Sequence, residues 1–102
     1  MSKKIVELKS KRKIELKEMS IDEMDYCSDV MTLSTNDRGE SVINNMSKSR
    51  TAWIRRSVIG GDFKTFKKDD NGYPADSVIK QLSDDEKNEL VSAIQEYQKV
   101  GE

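Results

Sequence analysis

Histidine is absent from the 102 residues, and cysteine and proline occur once each. Without histidine, the chain lacks the usual general base and the usual metal ligand, and no Ser-His or Cys-His nucleophile can form. A zinc site would have to rely on carboxylates, which is atypical. Gly60-Gly61 is not followed by the Gly-Lys-Ser/Thr spacing of a phosphate-binding loop. We therefore predict a protein that is not an enzyme and has no catalytic residue, metal site or cofactor.

Apolar residues are also scarce, because 34% of the chain is hydrophobic, 6% is aromatic and 36% is charged. No run approaches the roughly 18 apolar residues of a membrane span, and the first residues do not form a secretory signal. The single Cys27 cannot form an internal disulfide. These features predict a cytoplasmic protein (of the host cell, if the chain is viral) that contacts no membrane. The length predicts one domain over 1–102, with frayed ends at 1–3 and 99–102.

Near the start, two similar tetrapeptides, Val6–Lys9 and Ile14–Lys17, alternate apolar and charged residues, which is the period of a half-buried strand. The residues between them are polar, so the pattern predicts a β-hairpin. Its inner face would carry Val6, Leu8, Ile14 and Leu16. The register stays open, because the turn has neither Asn-Gly nor Asp-Gly. One continuous helix fits less well, since Leu8 and Ile14 do not lie on a helical stripe.

Two helix starts carry a capping box, in which serine is followed three residues later by glutamate: Ser20 with Glu23, and Ser83 with Glu86. The first helix is predicted to end near Leu33. Its apolar helical stripe would consist of Ile21, Met24, Cys27, Val30 and Met31. Within this stripe we expect the cysteine to be an inert buried hydrophobe, because acidic rather than basic residues flank it.

The middle of the chain predicts a loop over 32–44 and a second helix from about Asn45 to Ile59, stopped by Gly60-Gly61. Residues 62–66 could form a short strand or an extended connector. Lys67 to Pro74 predicts a turn. This turn resembles the middle of a calcium loop, but the first and twelfth positions would be lysine and valine, so we interpret it as an ordinary turn.

A short helical turn over 75–82 and a long amphipathic helix complete the prediction. Trp53, Ile54, Leu90 and Ile94 are expected to be largely buried. The predicted fold class is α+β: an N-terminal β-hairpin packed with about three helices, ending in an amphipathic C-terminal helix.

Lys48 to Lys68 interleaves cations with aromatic residues and is the candidate partner-binding segment. Its candidate residues are Arg50, Arg55, Arg56, Phe63, Phe66, Lys67 and Lys68. Cations beside stacking rings suit single-stranded nucleic acid, but the net charge of −1 opposes a phosphate backbone. Arginine and aromatic anchors are equally typical of protein interfaces. We expect a protein partner and keep a small nucleic-acid-binding regulator as the alternative.

Three segments taken together resemble small tail-module proteins of tailed bacteriophages, especially tail assembly chaperones. They are residues 13–25 (KIELKEMSIDEMD), 50–56 (RTAWIRR) and 82–86 (LSDDE). The shared feature is the layout: strands, an acidic capped helix, a helix with tryptophan and a terminal acidic helix. The resemblance implies an assembly factor that binds the tape measure protein or tail tube subunits. A minor structural protein of the virion, such as a head-tail connector, would suit the same layout.

Overall fold

The computed structural model describes residues 3–30, 32–35, 41–44 and 46–100. In chain order, the elements of this part are β1 (Lys3–Glu7), β2 (Lys13–Lys17), α1 (Ile21–Val30), β3 (Thr32–Thr35), β4 (Ser41–Asn44), α2 (Met46–Ser57), β5 (Val58–Gly61), α3 (Asp76–Ile79) and α4 (Asp84–Val100). The mixture of a three-stranded antiparallel sheet with helices confirms the predicted α+β class.

The N-terminal hairpin forms as predicted. β1 pairs with β2 in antiparallel register, with Val6 opposite Ile14. In the turn, the backbone N–H of Leu8 donates to the carbonyl of Arg12 at 2.9 Å. Leu8, Ile14 and Leu16 are buried and Val6 is half-buried against them, so the predicted inner face is correct. Alternation of apolar and charged residues was sufficient to find it, because only one face of the sheet meets the helices.

The third strand of this sheet corrects the predicted end of the second helix. α2 ends at Ser57, and Val58–Gly61 then forms β5, which pairs antiparallel with β2. Gly61 has a φ of +134°, and a Cβ there would lie 2.5 Å from the carbonyl oxygen of Lys13. The glycine is therefore required by the close approach of β5 to β2, and the interpretation of Gly60-Gly61 as a helix stop was wrong.

The loop predicted over 32–44 is wrong at both of its ends. β3 and β4 pair there as an antiparallel two-stranded sheet, with Leu33 opposite Ile43. β-Branched residues are frequent in both segments and favour extended backbone. α1 consequently ends at Val30 rather than near Leu33. Residues 36–40, which supplied the loop-like sequence, lie outside the described residues, as do Met31 and Asn45.

Both predicted capping boxes are present. The Ser20 hydroxyl accepts the N–H of Glu23 at 3.2 Å, and the Glu23 carboxylate accepts the N–H of Ser20 at 2.9 Å. The Ser83 hydroxyl accepts the N–H of Glu86 at 3.1 Å, and the Glu86 carboxylate accepts the N–H of Ser83 at 2.9 Å. Each box satisfies donors that the first helical turn leaves unpaired, so the starts of α1 and α4 are determined locally.

One core joins the sheet to the helices. Its largest fully buried side chains include Leu8, Ile14, Leu16, Ile54, Leu90 and Ile94. Two predicted core residues differ: Trp53 is only partly buried, and Ile21 at the start of α1 is 73% exposed. Cys27 is fully buried as predicted, and desolvation raises the pKa of its thiol to about 11. The thiol therefore stays protonated and packs as a small hydrophobe.

Gln98 connects α4 to the sheet through its buried amide. Its Oε1 accepts the N–H of Met19 at 2.9 Å, and its Nε2 donates to the carbonyl of Lys17 at 3.1 Å. These two backbone groups lie at the end of β2, where the chain turns towards α1. A single side chain thus satisfies a donor and an acceptor that the sheet does not use.

The segment from β5 to α4 is a connector followed by the predicted turn. Residues 62–67 form neither helix nor strand and bend at 62 and 64, so the connector rather than the strand was the correct alternative. In the turn, the N–H of Asp69 donates to the carbonyl of Tyr73 at 2.7 Å, and Asp69 Oδ1 accepts the N–H of Asn71 at 2.8 Å. α3 follows at Asp76–Ile79, inside the predicted helical turn.

Candidate functional site

Arg50, the first predicted binding residue, faces the start of α4. Its guanidinium donates to Oδ1 of Asn88 at 3.1 Å and to Oδ1 of Asp84 at 3.4 Å. Its Nε is buried and has no hydrogen-bond partner within the described part of the chain. The residue therefore joins α2 to α4, and Asp84 partly neutralises its charge.

Arg55 contacts the turn and α3 instead. It donates to the carbonyl of Pro74 at 2.8 Å and to Oδ1 of Asp76 at 2.6 Å, and its Nη1 lies 3.9 Å from Oδ2 of Asp69. The hydrogen bond from this arginine lowers the pKa of the Asp76 carboxyl. Two carboxylates therefore balance one guanidinium, and Arg55 has a clear structural role in fixing the turn on α2.

Arg56 lies between two tyrosines. Its guanidinium carbon is 3.7 Å from the ring centroid of Tyr26 and 5.2 Å from that of Tyr73. The Tyr73 hydroxyl donates to the Glu23 carboxylate at 3.0 Å, which also accepts from Nζ of Lys17 at 2.9 Å. Burial alone would raise the pKa of Glu23, but hydrogen bonds from the Ser20 backbone, Lys17 and Tyr73 lower it overall. This network holds the Tyr73 ring beside the guanidinium.

The predicted aromatic residues belong to a different region. The rings of Phe63 and Phe66 have centroids 5.5 Å apart, and both pack against the core. The Arg12 guanidinium lies 5.6 Å from the Phe63 centroid, and the Gln81 side chain accepts the N–H of Lys64 at 2.8 Å. Two residues far away in sequence thus hold the connector in place, and the local pattern gave no sign of either.

The predicted binding segment therefore does not form one patch. Arg50 faces α4, Arg55 and Arg56 face the turn and α1, and the phenylalanines face the core. Lys67 and Lys68 remain exposed. Lys68 forms a backbone bridge with Pro74. The interleaved sequence pattern arises because successive helical residues point about 100° apart and so meet different neighbours.

A groove centred on Trp53 runs along α2 and α4 and was not predicted. It consists of two cavities of about 470 and 670 Å³ that share Trp53, Ser92 and Gln95. We call it the Trp53 groove. Its lining residues are Met24, Asp25, Ser28, Ser47, Ser49, Arg50, Trp53, Asn88, Val91, Ser92, Gln95, Glu96, Gln98 and Lys99. One sequence signal pointed to it: Trp53 and Ile54 are adjacent in a helix, so both cannot face the centre of the core.

The lining of the Trp53 groove combines a few apolar residues with mostly neutral polar ones. Met24, Trp53 and Val91 supply the apolar surface, and all three are partly buried against the core. Hydroxyl and amide side chains make up half of the lining. The four charged residues, two basic and two acidic, cancel formally. Such a groove can accept an apolar side chain and hydrogen-bond the polar groups beside it.

The described residues contain no group of three or more cysteines and carboxylates placed to hold a metal ion. Within the same residues, no helix is long and apolar enough to cross a membrane. Comparison with protein-family models, with curated proteins and with solved structures finds no match to this chain.

Proposed function

We propose that this chain is a non-enzymatic accessory protein that binds a protein partner through the Trp53 groove, with a tail tube or tape measure protein of a tailed bacteriophage as that partner. The partner class comes from the resemblance to tail assembly chaperones. The observation that supports protein binding is that the half-buried Trp53 lines an open groove.

The physical basis is the anatomy of protein interfaces. Tryptophan is enriched among the few residues that dominate binding energies, and such residues lie in apolar centres surrounded by polar groups. In the Trp53 groove, Val91 lines the same cavity as the indole, together with the exposed Ser92 and Gln95. An apolar side chain of the partner would cover the indole, while its backbone would hydrogen-bond the neutral rim.

The ion pairs of the arginines weaken the alternative of a nucleic-acid-binding regulator. Arg50 and Arg55, two of the cations that suggested it, already pair with carboxylates. A phosphate would have to displace Asp84, or Asp69 and Asp76, before it gained a full charge interaction. The phenylalanines that would stack on bases pack against the core instead.

The test is direct binding to purified tail tube and tape measure proteins of a tailed bacteriophage. Ser92→Arg places a long charged side chain over the groove without altering the core, because Ser92 is exposed. Ser77→Arg makes the same change at an exposed serine of α3, away from the groove, and is the matched control. Calorimetry should show binding by the wild type and by Ser77→Arg, and a loss of at least about tenfold in affinity, or roughly 1.4 kcal/mol, for Ser92→Arg.

Two results would contradict the proposal. If the wild-type chain bound neither tail protein, a tail protein would be excluded as its partner. Equal binding by the two arginine variants would show that the partner docks elsewhere. Circular dichroism melting of both variants would establish that they are folded.

A further inference from the structure

Another cavity, of about 510 Å³, lies between α1 and α2 and shares Ser47 with the Trp53 groove. We call it the α1–α2 cleft. Its charged lining residues are Lys48, Arg55 and Arg56, and its other polar groups are the hydroxyls of Tyr26, Ser47 and Thr51. No aspartate or glutamate from the described part of the chain lines this cavity. The cleft is therefore positively charged, in contrast to the Trp53 groove.

Arg56 is the central cation of the α1–α2 cleft. Its guanidinium stacks 3.7 Å from the ring of Tyr26, which is itself 51% exposed. Among the residues with described side chains, no carboxylate lies within 4.0 Å of the Arg56 guanidinium, in contrast to Arg50 and Arg55. Stacking restrains the plane of a guanidinium while leaving its N–H groups able to donate. Arg56 is thus oriented before any ligand arrives.

Two neighbouring cations add to the positive charge of the α1–α2 cleft. Lys48 is exposed on α2. Arg55 brings a third cation, although Asp69 and Asp76 offset much of its charge from outside the cleft. Val30 of α1 and Ala52 of α2 give the cleft an apolar part. An anionic group with a short apolar neighbour would therefore match both the charge and the surface of this cavity.

We propose that the α1–α2 cleft binds an acidic segment of a protein partner, with an aspartate or glutamate carboxylate on Arg56 and Lys48. A carboxylate matches the planar fork of a guanidinium and can accept two parallel hydrogen bonds from it. Assignment of the ligand to a protein partner rests on the proposed function, whereas the position and charge preference of the site do not.

An extended nucleic acid fits this site less well. Arg56 covers one face of the Tyr26 ring, so this face is closed to base stacking, which single-stranded nucleic acid needs. The exposed side of α1 carries Asp22, Asp25 and Asp29, which would repel phosphates that extend beyond the cleft. A short acidic segment can place its few charges within the cleft, whereas a longer chain of phosphates would also meet these aspartates.

The experiment uses two short capped peptides, one with glutamates on both sides of a leucine and one with glutamine at each of those positions. Titration of the full chain at low salt, followed by amide chemical shifts, should move the signals of Tyr26, Thr51 and Arg56 with the acidic peptide only. The double variant Lys48→Gln and Arg56→Gln should bind this peptide at least about tenfold more weakly, because it loses charge-assisted hydrogen bonds.

The matched control neutralises Lys64 and Lys80 to glutamine, two exposed lysines that do not line the cleft. This control has the same net charge as the cleft variant and should bind like the wild type. Arg56→Lys keeps the charge but loses the planar fork, so its affinity should fall between the two. Thermal melting of each variant establishes that the comparison is between folded proteins.

Three outcomes would overturn the proposal: equal affinity of the cleft and control variants, equal affinity for the two peptides, or tighter binding of oligothymidylate than of the acidic peptide. Ser92→Arg separates this site from the Trp53 groove, because the variant should keep full affinity for the acidic peptide. Failure of the tail proteins to bind would refute the proposed function while leaving peptide binding at the cleft intact.

Discussion

Replacement of Gln98 by leucine should test how α4 is held on the sheet. The side chain is 6% exposed, and its amide serves the N–H of Met19 and the carbonyl of Lys17. Leucine has a similar size but can neither donate nor accept. Each buried backbone group left without a partner costs about 1–3 kcal/mol, and the added apolar contact offsets part of this. We expect a net loss of about 2–4 kcal/mol.

That loss is large for this chain, because domains of this size have total stabilities of about 5–15 kcal/mol. Near the midpoint of unfolding, it corresponds to a decrease in melting temperature of about 10–25 °C. Urea unfolding followed by circular dichroism would give the free energy directly. Gln95→Leu, which removes an exposed amide from the same helix, is the control and should stay within about 0.5 kcal/mol of the wild type.

A second substitution, Gln98→Glu, tests the direction in which stability changes with pH. The carboxylate of Gln98→Glu could accept from Met19, but it would face the carbonyl oxygen of Lys17 and lose solvation. Both effects favour the protonated form, so its pKa in the folded state should exceed its unfolded value. Its stabilising contribution is then present below the unfolded pKa and is lost as the pH rises through the folded pKa. Gln98→Glu should therefore be closer to wild type near about pH 4 than near about pH 7. If Gln98→Leu had the same melting temperature as Gln95→Leu, the hydrogen bonds of Gln98 would not be what holds α4 on the sheet.

Three other changes probe separate regions. Glu86 accepts hydrogen bonds from the Ser83 backbone, Ser10 and Arg12, which lower its pKa from 4.5 to about 2 despite burial. The stability advantage of wild type over Glu86→Gln should therefore be full above about pH 4.5 and shrink as the pH falls towards about 2. Chemical denaturation across this pH range would measure the advantage, and an advantage that did not change with pH would contradict the prediction. Cys27, with its raised pKa of about 11 and no exposed surface, should react with a thiol reagent only at the rate of opening, and reaction of the native protein at the rate of a free thiol would disprove its burial. Trp53→Ala should lower the free energy of unfolding by less than the roughly 3–5 kcal/mol typical of a fully buried ring, because Trp53 is only partly buried. Acrylamide should quench the Trp53 fluorescence of the free protein, and a ring inaccessible to the quencher would refute an open groove.

The parts of the fold that the sequence predicted depend on neighbours a few residues apart. Each capping box joins residues three apart, and the two strands of the N-terminal hairpin are linked by a short turn. The alternation at Ile14 and Leu16 was informative because one face of β2 meets the core and the other does not. Such signals are contained in the local sequence, so they need no knowledge of the rest of the chain.

The parts that it did not predict depend on distant partners. β5 forms because β2, more than forty positions earlier in the chain, offers it an edge. Arg55 pairs with Asp76 of α3, and Arg50 pairs with Asp84 of α4, and the local sequence shows neither ion pair. Trp53 was predicted to lie in the core because of its helical spacing, whereas the packing of α2 against α4 leaves it lining a groove. Helical spacing alone does not show which neighbour lies opposite each face.

β1 forms one edge of the three-stranded sheet, and its charges affect how chains of this protein meet each other. Lys4 lies opposite the buried Leu16, so it occupies the core-facing side of the strand, and its ammonium is 5.8 Å from the ring centroid of Tyr97. A second copy that extended the sheet at β1 would have to cover this ammonium and remove it from water. A lysine on the core-facing side of an edge strand therefore discourages fibre-like growth. Lys4→Val should increase light scattering on heating, and an unchanged aggregation rate would show that the edge is protected in another way.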